Sequence, residues 1–327
     1  MSDIAGVQEK RRRAIQDAIV HQNRKRRLID RTFTGVTMAC IALAMIPLGS
    51  ILVEVVKNGA SAISVEFLTL QQGKIVSTPA ELQECEDLGI LPIHCNTGGI
   101  GPAIQGTLIV VGYASLIGVP VGVLAGIYLS EYAGNSRFAY MVRFFNNVMT
   151  GMPSIVIGIV GYVIIVLAIG FSVTAGAVAL SIIMIPIIVG VTEETLKLVP
   201  NSIREAGHSL GIPKWRVTLF ITLRSAKNGV LTGIVLALSR IAGETAPLIM
   251  TILGTSLFFQ FTYEGFTDPV DALPLRIFRL AALPYENAES FGWGAALVLI
   301  LVVLSLSMAL RFLVLDRRYR VSGRTRL

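Results

Sequence analysis

Long apolar runs separated by short charged segments are the main pattern of this 327-residue chain. Six runs are long enough to cross the hydrocarbon core of a bilayer, about 30 Å thick, as α-helices that rise about 1.5 Å per residue. Because lipid offers no partner for free backbone polar groups, closed helices are favoured over other structures. The pattern therefore predicts an all-α integral membrane protein with six transmembrane helices, at residues 33–56, 102–129, 142–169, 173–191, 229–253 and 293–315. Prolines inside the second to fifth of these spans predict kinks or breaks, at Pro120, Pro153, Pro186 and Pro247.

The composition agrees with insertion into a membrane. Hydrophobic residues make up 53% of the chain, charged residues only 15%, and the mean hydropathy is +0.69. Soluble domains carry roughly 25% charged residues, and a soluble protein would have to bury several apolar runs of about 20 residues in one core. The net charge of +7 does not indicate nucleic-acid binding, because Lys and Arg cluster beside the apolar runs.

The basic residues predict which side of the membrane each loop occupies. Nine Lys or Arg precede the first span, and others cluster in the loop between spans four and five and in the C-terminal tail. The remaining long loops are rich in Asp and Glu, so the positive-inside rule places both termini in the cytoplasm. The expected division is a cytoplasmic basic arm that can attract membrane lipid (1–32), a transmembrane domain (33–316) with external loops (57–101 and 254–292) and a cytoplasmic loop (192–228), and a basic tail (317–327).

Two cysteines, Cys85 and Cys95, share the 57–101 loop. An external position allows a disulfide between them, and two free thiols are the alternative. Only His94 lies nearby, so the spacing does not indicate a zinc site. The chain has no Walker A sequence and no constellation for nucleophilic catalysis, so we expect neither an enzyme activity nor a cofactor or metal in this chain. If the chain takes part in energised transport, the energy must come from another subunit or from an ion gradient.

A short helix followed by a tight turn is predicted in the cytoplasmic loop, within residues 201–216. Asn201 and Ser202 can cap a helix that begins after Pro200. Gly211 can end this helix with a turn, and Pro213 can start the next one near its first turn. Physical reasoning alone leaves two interpretations open, an ordinary amphipathic surface helix and an element that docks on a partner protein.

The fifth predicted span carries two charged residues, Arg240 and Glu244, which a continuous helix would place on one face. An Arg near mid-span costs about 2.5–3.5 kcal/mol on insertion scales, so such residues face protein or water. One interpretation is an internal ion pair. In the other, Arg240 binds a translocating oxyanion through its forked donors. Glu244 would then accept a hydrogen bond from a protonated anion, which favours phosphate over sulfate.

The cytoplasmic loop resembles the coupling loop of ABC importer permeases, which reads Glu-Ala-Ala, three residues, Gly, nine residues and Ile-x-Leu-Pro. Gly207 replaces the second Ala of this pattern, and Arg224 replaces the Pro. The resemblance implies a coupling helix that sits in a cleft of a partner ATPase, with Gly207 among its residues. The positions that match the pattern are Glu205, Ala206, Gly211, Ile221 and Leu223.

Other motifs resemble the phosphate-specific ABC permeases of the PstA type, from about residue 98 to the sixth span. The most specific is residues 239–248 (SRIAGETAPL), and the others are 106–107 (GT), 151–156 (GMPSIV), 192–194 (TEE) before 199–200 (VP), and 272–277 (ALPLRI).

This resemblance implies a type I ABC importer transmembrane domain in the plasma (inner) membrane. It also implies a sister permease subunit in a heterodimer, two ATPase subunits that bind ATP and Mg, and an external phosphate-binding protein. Three alternatives stay open at this point: an ABC permease for sulfate or molybdate, a self-sufficient ion-coupled transporter, and a membrane scaffold, which would leave Arg240 and Glu244 unexplained.

Overall fold

The structure is a computed structural model of the chain. It describes residues 2–71, 99–134, 136–262, 264–284 and 286–315, together with Ala80, Gln83 and Asp87. Cys85 and Cys95, the proposed disulfide partners, and the predicted tail 317–327 lie outside the described residues. The chain divides into two units, residues 1–57 and 58–327.

The first unit consists of helix α1 (Ser2–Gly59) up to Lys57. The last two residues of this helix, Asn58 and Gly59, are counted with the second unit. The predicted arm, 1–32, and the predicted first span, 33–56, are therefore parts of one helix. From Ile29 to Ala62 the chain is long and apolar enough to cross a bilayer, with a mean hydropathy of 2.3. Large apolar side chains along this stretch are exposed, as expected for a helix that lipid surrounds.

The second unit is built from helices, and its described residues contain one isolated bridge, between Leu253 and Val270. Its helices are α2 (Val65–Thr69), α3 (Gly101–Ile127), α4 (Arg137–Gly151), α5 (Ser154–Ile169), α6 (Val173–Lys197), α7 (Asn201–Ser209), α8 (Lys214–Ala242), α9 (Ala246–Thr251), α10 (Leu273–Ala281) and α11 (Glu286–Leu315). Three of them contain or adjoin π-helical turns, at Tyr128–Tyr132 after α3, Tyr162–Val166 in α5 and Val217–Thr222 in α8.

Within the described part of the chain, five helices are long and apolar enough to span a membrane. A sixth candidate is the bent pair α4 and α5, which passes the same test when the two helices are taken together. The prediction of an all-α protein with six candidate spans is therefore confirmed, with the bent pair counted as one span. The five single candidates are Ile29–Ala62, Gly101–Tyr132, Val173–Lys197, Lys214–Ala242 and Ala288–Phe312.

The predicted third span, 142–169, is broken at Pro153, as the position of this proline inside the span indicated. Helix α4 ends at Gly151, α5 begins at Ser154, and the two are bent by 104°. Met152 has an extended backbone (φ −72°, ψ 137°), because the ring of Pro153 disfavours the helical region for the residue before it. A proline inside an apolar run therefore divides this span.

The predicted fifth span, 229–253, is also broken, close to Pro247. Helix α8 ends at Ala242, a non-helical stretch follows, and α9 begins only at Ala246. Gly243 occupies the C-cap of α8, and Pro247 lies in the first turn of α9, where its missing N–H costs no hydrogen bond. In contrast, α6 continues to Lys197, six residues beyond the predicted end of span four.

Helix α6 lies at the centre of the second unit and packs closely against α3 and α8. A Cβ added at Gly122 of α3 would lie 2.8 Å from Cβ of Ile188, and one at Gly233 of α8 would lie 2.5 Å from Cγ1 of Val191. Glycine lets helix backbones approach in a bilayer, where dispersion contacts replace the hydrophobic effect. The buried core of this unit accordingly includes residues of α3, α6 and α8.

Candidate functional site

Arg240 and Glu244 meet at the end of α8. Arg240 lies in the last turn of this helix, and Glu244 lies beyond its end, so their predicted shared helical face is wrong. The side chains still pair, with 3.6 Å between Nε of Arg240 and Oε1 of Glu244. The Arg240 side chain is 53% exposed and that of Glu244 is 15% exposed. Gly243 ends the helix between them, which directs the guanidinium and the carboxylate toward each other without a regular helical turn.

Arg240 also lines a cavity beside the break between α4 and α5. The other lining residues are Met149, Thr150, Met152, Ser154, Ile157, Ile183 and Ile187. Near this cavity, α5 packs closely on α9, since a Cβ added at Gly158 would lie 2.8 Å from Cα of Pro247. The motifs at 151–156 and 239–248 are therefore close in space, and each motif includes the point at which a span is broken.

Helix α7 has the boundaries predicted for the coupling helix. It begins after Pro200, and Gly211 follows its end with φ +72°. The N–H of Gly211 donates to the carbonyl of His208 (2.9 Å), and the N–H of Ile212 donates to that of Gly207 (3.3 Å), as in helices that end with a glycine in the left-handed conformation. The predicted cap is wrong in one respect: Pro200 holds the N-cap position, and no side chain caps the helix.

The four predicted coupling residues divide between two faces of this segment. Glu205, Ala206 and Gly211 are exposed, whereas Gly207 is buried. A Cβ at Gly207 would lie 3.0 Å from Cγ2 of Val217 and also close to Ile221. Glycine at position 207, where the family pattern has Ala, therefore permits the close packing of α7 on α8.

Three ion pairs in the region of α6 and α7 were not expected from the sequence. Arg204 of α7 binds Glu131 of the π-helical turn after α3, with 2.8 Å between Nη2 and Oε1. Glu193 of α6 accepts from Nε of Arg143 (2.8 Å) and from Nζ of Lys197 (2.6 Å). The available signals were indirect: Arg204 directly precedes Glu205, and Glu193 lies within the motif at 192–194.

The motifs at 106–107 and 272–277 also meet. The backbone N–H of Leu273 donates to Oγ1 of Thr107 (2.8 Å). Nearby, Nε of Arg276 donates to Oδ2 of Asp271 (2.6 Å), and both side chains are almost fully buried. Burial raises the pKa of Asp271 above its ordinary value of 3.8, and the Arg276 guanidinium opposes this rise. The Thr107–Leu273 hydrogen bond links the segment after the 254–270 loop to α3, and the Arg276–Asp271 pair joins two residues within that segment.

Comparison with known proteins places these motifs in a family. The family model described as "Binding-protein-dependent transport system inner membrane component" matches residues 118–321. The phosphate transport system permease protein PstA of Yersinia pestis is 42% identical over 229 residues, which are 70% of this chain and 76% of that protein. The protein of the same name from Haemophilus influenzae is 37% identical over 287 residues, 88% of this chain and 94% of that protein.

The fold is also similar to that of a solved transporter. A chain of the MetNI methionine ABC transporter in an inward-facing conformation aligns with a TM-score of 0.51 and 17% identity, over 69% of this chain and 94% of that chain. This likeness concerns the fold, and it supports the predicted type I importer architecture. The family model covers more than half of the chain, and the relatives are covered over most of their length. The chain therefore belongs to the binding-protein-dependent transport system inner membrane component family, and within it to the PstA permeases.

Proposed function

We propose that this chain is the permease subunit of an ATP-driven importer and forms part of the membrane pathway for inorganic phosphate. The observation that carries the proposal is the exposed guanidinium of Arg240 at the end of a membrane-spanning helix. Arg at such a depth faces protein or a water-filled path. Relatives that are 42% and 37% identical to this chain carry the name phosphate transport system permease protein PstA.

The loose pairing of Arg240 with Glu244 suits transient binding of an anion. Their closest approach, 3.6 Å, is longer than the roughly 2.7–2.9 Å of a charge-assisted hydrogen bond. An incoming phosphate can therefore take up the guanidinium donors without first breaking a tight ion pair. Glu244 then accepts a hydrogen bond from the protonated oxygen of phosphate and repels sulfate, which has no proton to donate.

The two broken spans supply the setting for this step. In transporters, discontinuous helices at membrane depth line substrate cavities, because their free backbone groups need partners other than lipid. Ser154 begins α5 and lines the same cavity as Arg240. The N-terminal end of α5, with its partial positive charge, therefore lies beside the cavity and favours a bound oxyanion there.

Energy is supplied by partner subunits in this proposal. The exposed residues Glu205, Ala206 and Gly211 dock α7 on an ATPase, and that ATPase binds ATP and Mg. The charge distribution supports a cytoplasmic position for α7 and for both termini. Two ATPase subunits, a sister permease that forms a heterodimer with this chain, and an external phosphate-binding protein complete the transporter in the inner membrane. The exposure of Arg240 in the single chain supports a second permease subunit that faces it.

Uptake of labelled phosphate tests the proposal. Vesicles carry the chain with its cognate sister permease, ATPase and binding protein, and uptake is compared with ATP and with ADP, each with and without excess sulfate. The proposal predicts uptake that requires ATP and resists sulfate. Strong competition by sulfate or molybdate would assign another oxyanion, and uptake driven by an ion gradient without ATP would indicate a secondary transporter.

A further inference from the structure

We infer that Arg204 is a positioning residue that ties the coupling helix α7 to the ends of α3 and α6. Movement of α7 then passes directly to two membrane-spanning helices, in addition to α8, the next span along the chain. The inference rests on the proposed function, because it gives Arg204 a part in ATP-driven transport. It goes beyond the family's coupling motif, which begins one residue later, at Glu205.

A single guanidinium makes contacts with three parts of the fold. Nη2 of Arg204 donates to Oε1 of Glu131 (2.8 Å), and Nε donates to Oε2 of the same carboxylate (3.1 Å). Nη2 also donates to the carbonyl of Leu196 (2.7 Å), and Nη1 donates to that of Val199 (2.6 Å). These carbonyls belong to the last turn of α6 and to the residues just after it, where helices leave carbonyls without partners. Nη1 also reaches Oδ1 of Asn201 (3.1 Å).

The ion pair within this Arg204 cluster (Arg204, Glu131, Leu196, Val199 and Asn201) is shielded from solvent. The Arg204 side chain is 17% exposed and that of Glu131 is 6% exposed. Loss of one partner would leave the other charge poorly solvated, so the pair resists separation much more than an exposed pair would. Arg and not Lys suits this position, because a planar fork can bind a carboxylate and two carbonyls at once.

The other side of α7 is held by α8. Gly207 packs against Val217, which begins the π-helical turn of α8. Nζ of Lys214 lies 4.9 Å from the ring centroid of Tyr132, the last residue of the π-helical turn after α3. Helix α7 is thus flanked by two π-helical turns, which occur frequently at functional positions. A shift of α7 must therefore carry the ends of α3, α6 and α8 with it.

Arg204 faces the interior of this chain, unlike its neighbours in α7 that face outward. Glu205 and Ala206 are exposed and available to a partner, whereas the Arg204 side chain is mostly buried and its donors are taken up by Glu131, Leu196, Val199 and Asn201. Loss of Arg204 should therefore leave docking and ATP hydrolysis in place and reduce the amount of phosphate moved for each ATP. A residue that only stabilised the fold would lower the amount of assembled transporter and leave that ratio unchanged.

The test compares Arg204→Gln and Arg204→Lys with wild type in the complete transporter, reconstituted with its ATPase, sister permease and binding protein. Phosphate uptake and ATP hydrolysis are measured in the same vesicles, per assembled complex. We expect Arg204→Gln to lower phosphate moved per ATP by about tenfold or more and Arg204→Lys to give an intermediate value. Arg137→Gln, at an exposed arginine that begins α4, is the matched control and should keep the wild-type ratio.

An Arg204→Gln transporter with the wild-type ratio of phosphate to ATP overturns the inference. If Arg204→Gln does not assemble, Glu131→Gln decides the question, because it removes only the carboxylate and keeps the donors to Leu196 and Val199. A reduced ratio in Glu131→Gln supports the inference, and an unchanged ratio overturns it. Absence of phosphate uptake in the wild type contradicts the proposed function itself and is thereby distinguished from failure of this inference.

Discussion

The hydroxyl oxygen of Thr107 accepts a 2.8 Å hydrogen bond from the backbone N–H of Leu273, 166 residues later in the chain. The same hydroxyl donates to the carbonyl of Ala103 (2.8 Å), so it is satisfied as donor and as acceptor in a buried position. Leu273 begins α10, and Thr107 lies in the second turn of α3. One side chain thereby anchors the 254–272 segment to a membrane-spanning helix.

Gly106, next to Thr107, should be sensitive to the addition of a methyl group. A Cβ at this position would overlap the carbonyl oxygen of Asp271 and lie 2.7 Å from Cγ2 of Val270. We expect Gly106→Ala to lower the free energy of unfolding by roughly 1–3 kcal/mol, as overpacking does. Gly112→Ala is the control, because it lies in the same helix with open space around it. Thermal unfolding of the purified protein in detergent measures both, and equal midpoints for the two variants would contradict the packing.

The buried pair of Asp271 and Arg276 should be far less tolerant of a single change than of a double one. Arg276→Gln leaves the Asp271 carboxylate buried without its cation, which costs about 3–5 kcal/mol. Asp271→Asn combined with Arg276→Gln removes both charges and should recover part of that loss. Thermal unfolding midpoints of the two variants, measured at neutral pH in detergent, give the comparison. A double variant less stable than Arg276→Gln would show that the pair is not the source of the effect.

The stability of Arg276→Gln should also depend on pH with a definite sign. Burial raises the pKa of Asp271 above 3.8, and loss of the Arg276 guanidinium removes the largest influence that opposes this rise, leaving the smaller effects of the Ala272 N–H and of Arg279. At pH values between the pKa of Asp271 in the unfolded state and its higher pKa in the folded state, the folded state binds more protons. The stability of Arg276→Gln therefore falls by about 1.4 kcal/mol per pH unit as the pH rises through this range. The stability difference between the single and the double variant should therefore widen from about pH 4 upward. A difference independent of pH would contradict this assignment.

The backbone conformation at Gly211, in the turn after α7, and not the space around it, should decide which residues can replace this glycine. Gly211 has φ +72°, and nothing lies within 4 Å of an added Cβ. Non-glycine residues in this region cost roughly 1–2 kcal/mol, although Asn is tolerated better than β-branched residues. We expect ATP-dependent uptake to decrease in the order Gly211→Asn, Gly211→Ala and Gly211→Val. Equal activities for Asn and Val would argue against a left-handed turn.

Glu244→Gln should change the selectivity of transport. The neutral amide no longer repels sulfate and can donate to one of its oxygens. We expect sulfate to compete with labelled phosphate about tenfold more strongly in this variant than in wild type. Competition curves in vesicles that carry the complete transporter measure the change. Unchanged sulfate exclusion together with unchanged phosphate uptake would remove Glu244 from the pathway.

Local features of the fold were predictable from the sequence, because they depend on neighbouring residues. The turn at Gly211 and the proline before α8 follow from backbone preferences. Kinks or breaks were predicted at Pro153 and Pro247, and the structure has breaks after Gly151 and Ala242. The prolines themselves carried the signal for both breaks. Pro120 and Pro186, which carry the same signal, lie inside helices that continue past them.

Contacts between distant segments were not predictable in the same way. Glu131 and Arg204 are 73 residues apart, and no periodic pattern links them. Helix α6 extends past its predicted end because Glu193, which resembles a loop residue in a hydropathy profile, pairs with Arg143 and Lys197. A charge at the edge of an apolar run can therefore belong to the helix when tertiary structure supplies its partner.

Phosphate uptake by Arg240→Gln tests the central claim most directly. The variant and wild type are reconstituted with the cognate sister permease, ATPase and binding protein, and Arg137→Gln is the control for loss of an exposed arginine. The account predicts that Arg240→Gln assembles and hydrolyses ATP, and that its uptake is lower by about tenfold or more, as for loss of hydrogen bonds to a charged group. Wild-type uptake by assembled Arg240→Gln would contradict the assignment of Arg240 to the phosphate pathway.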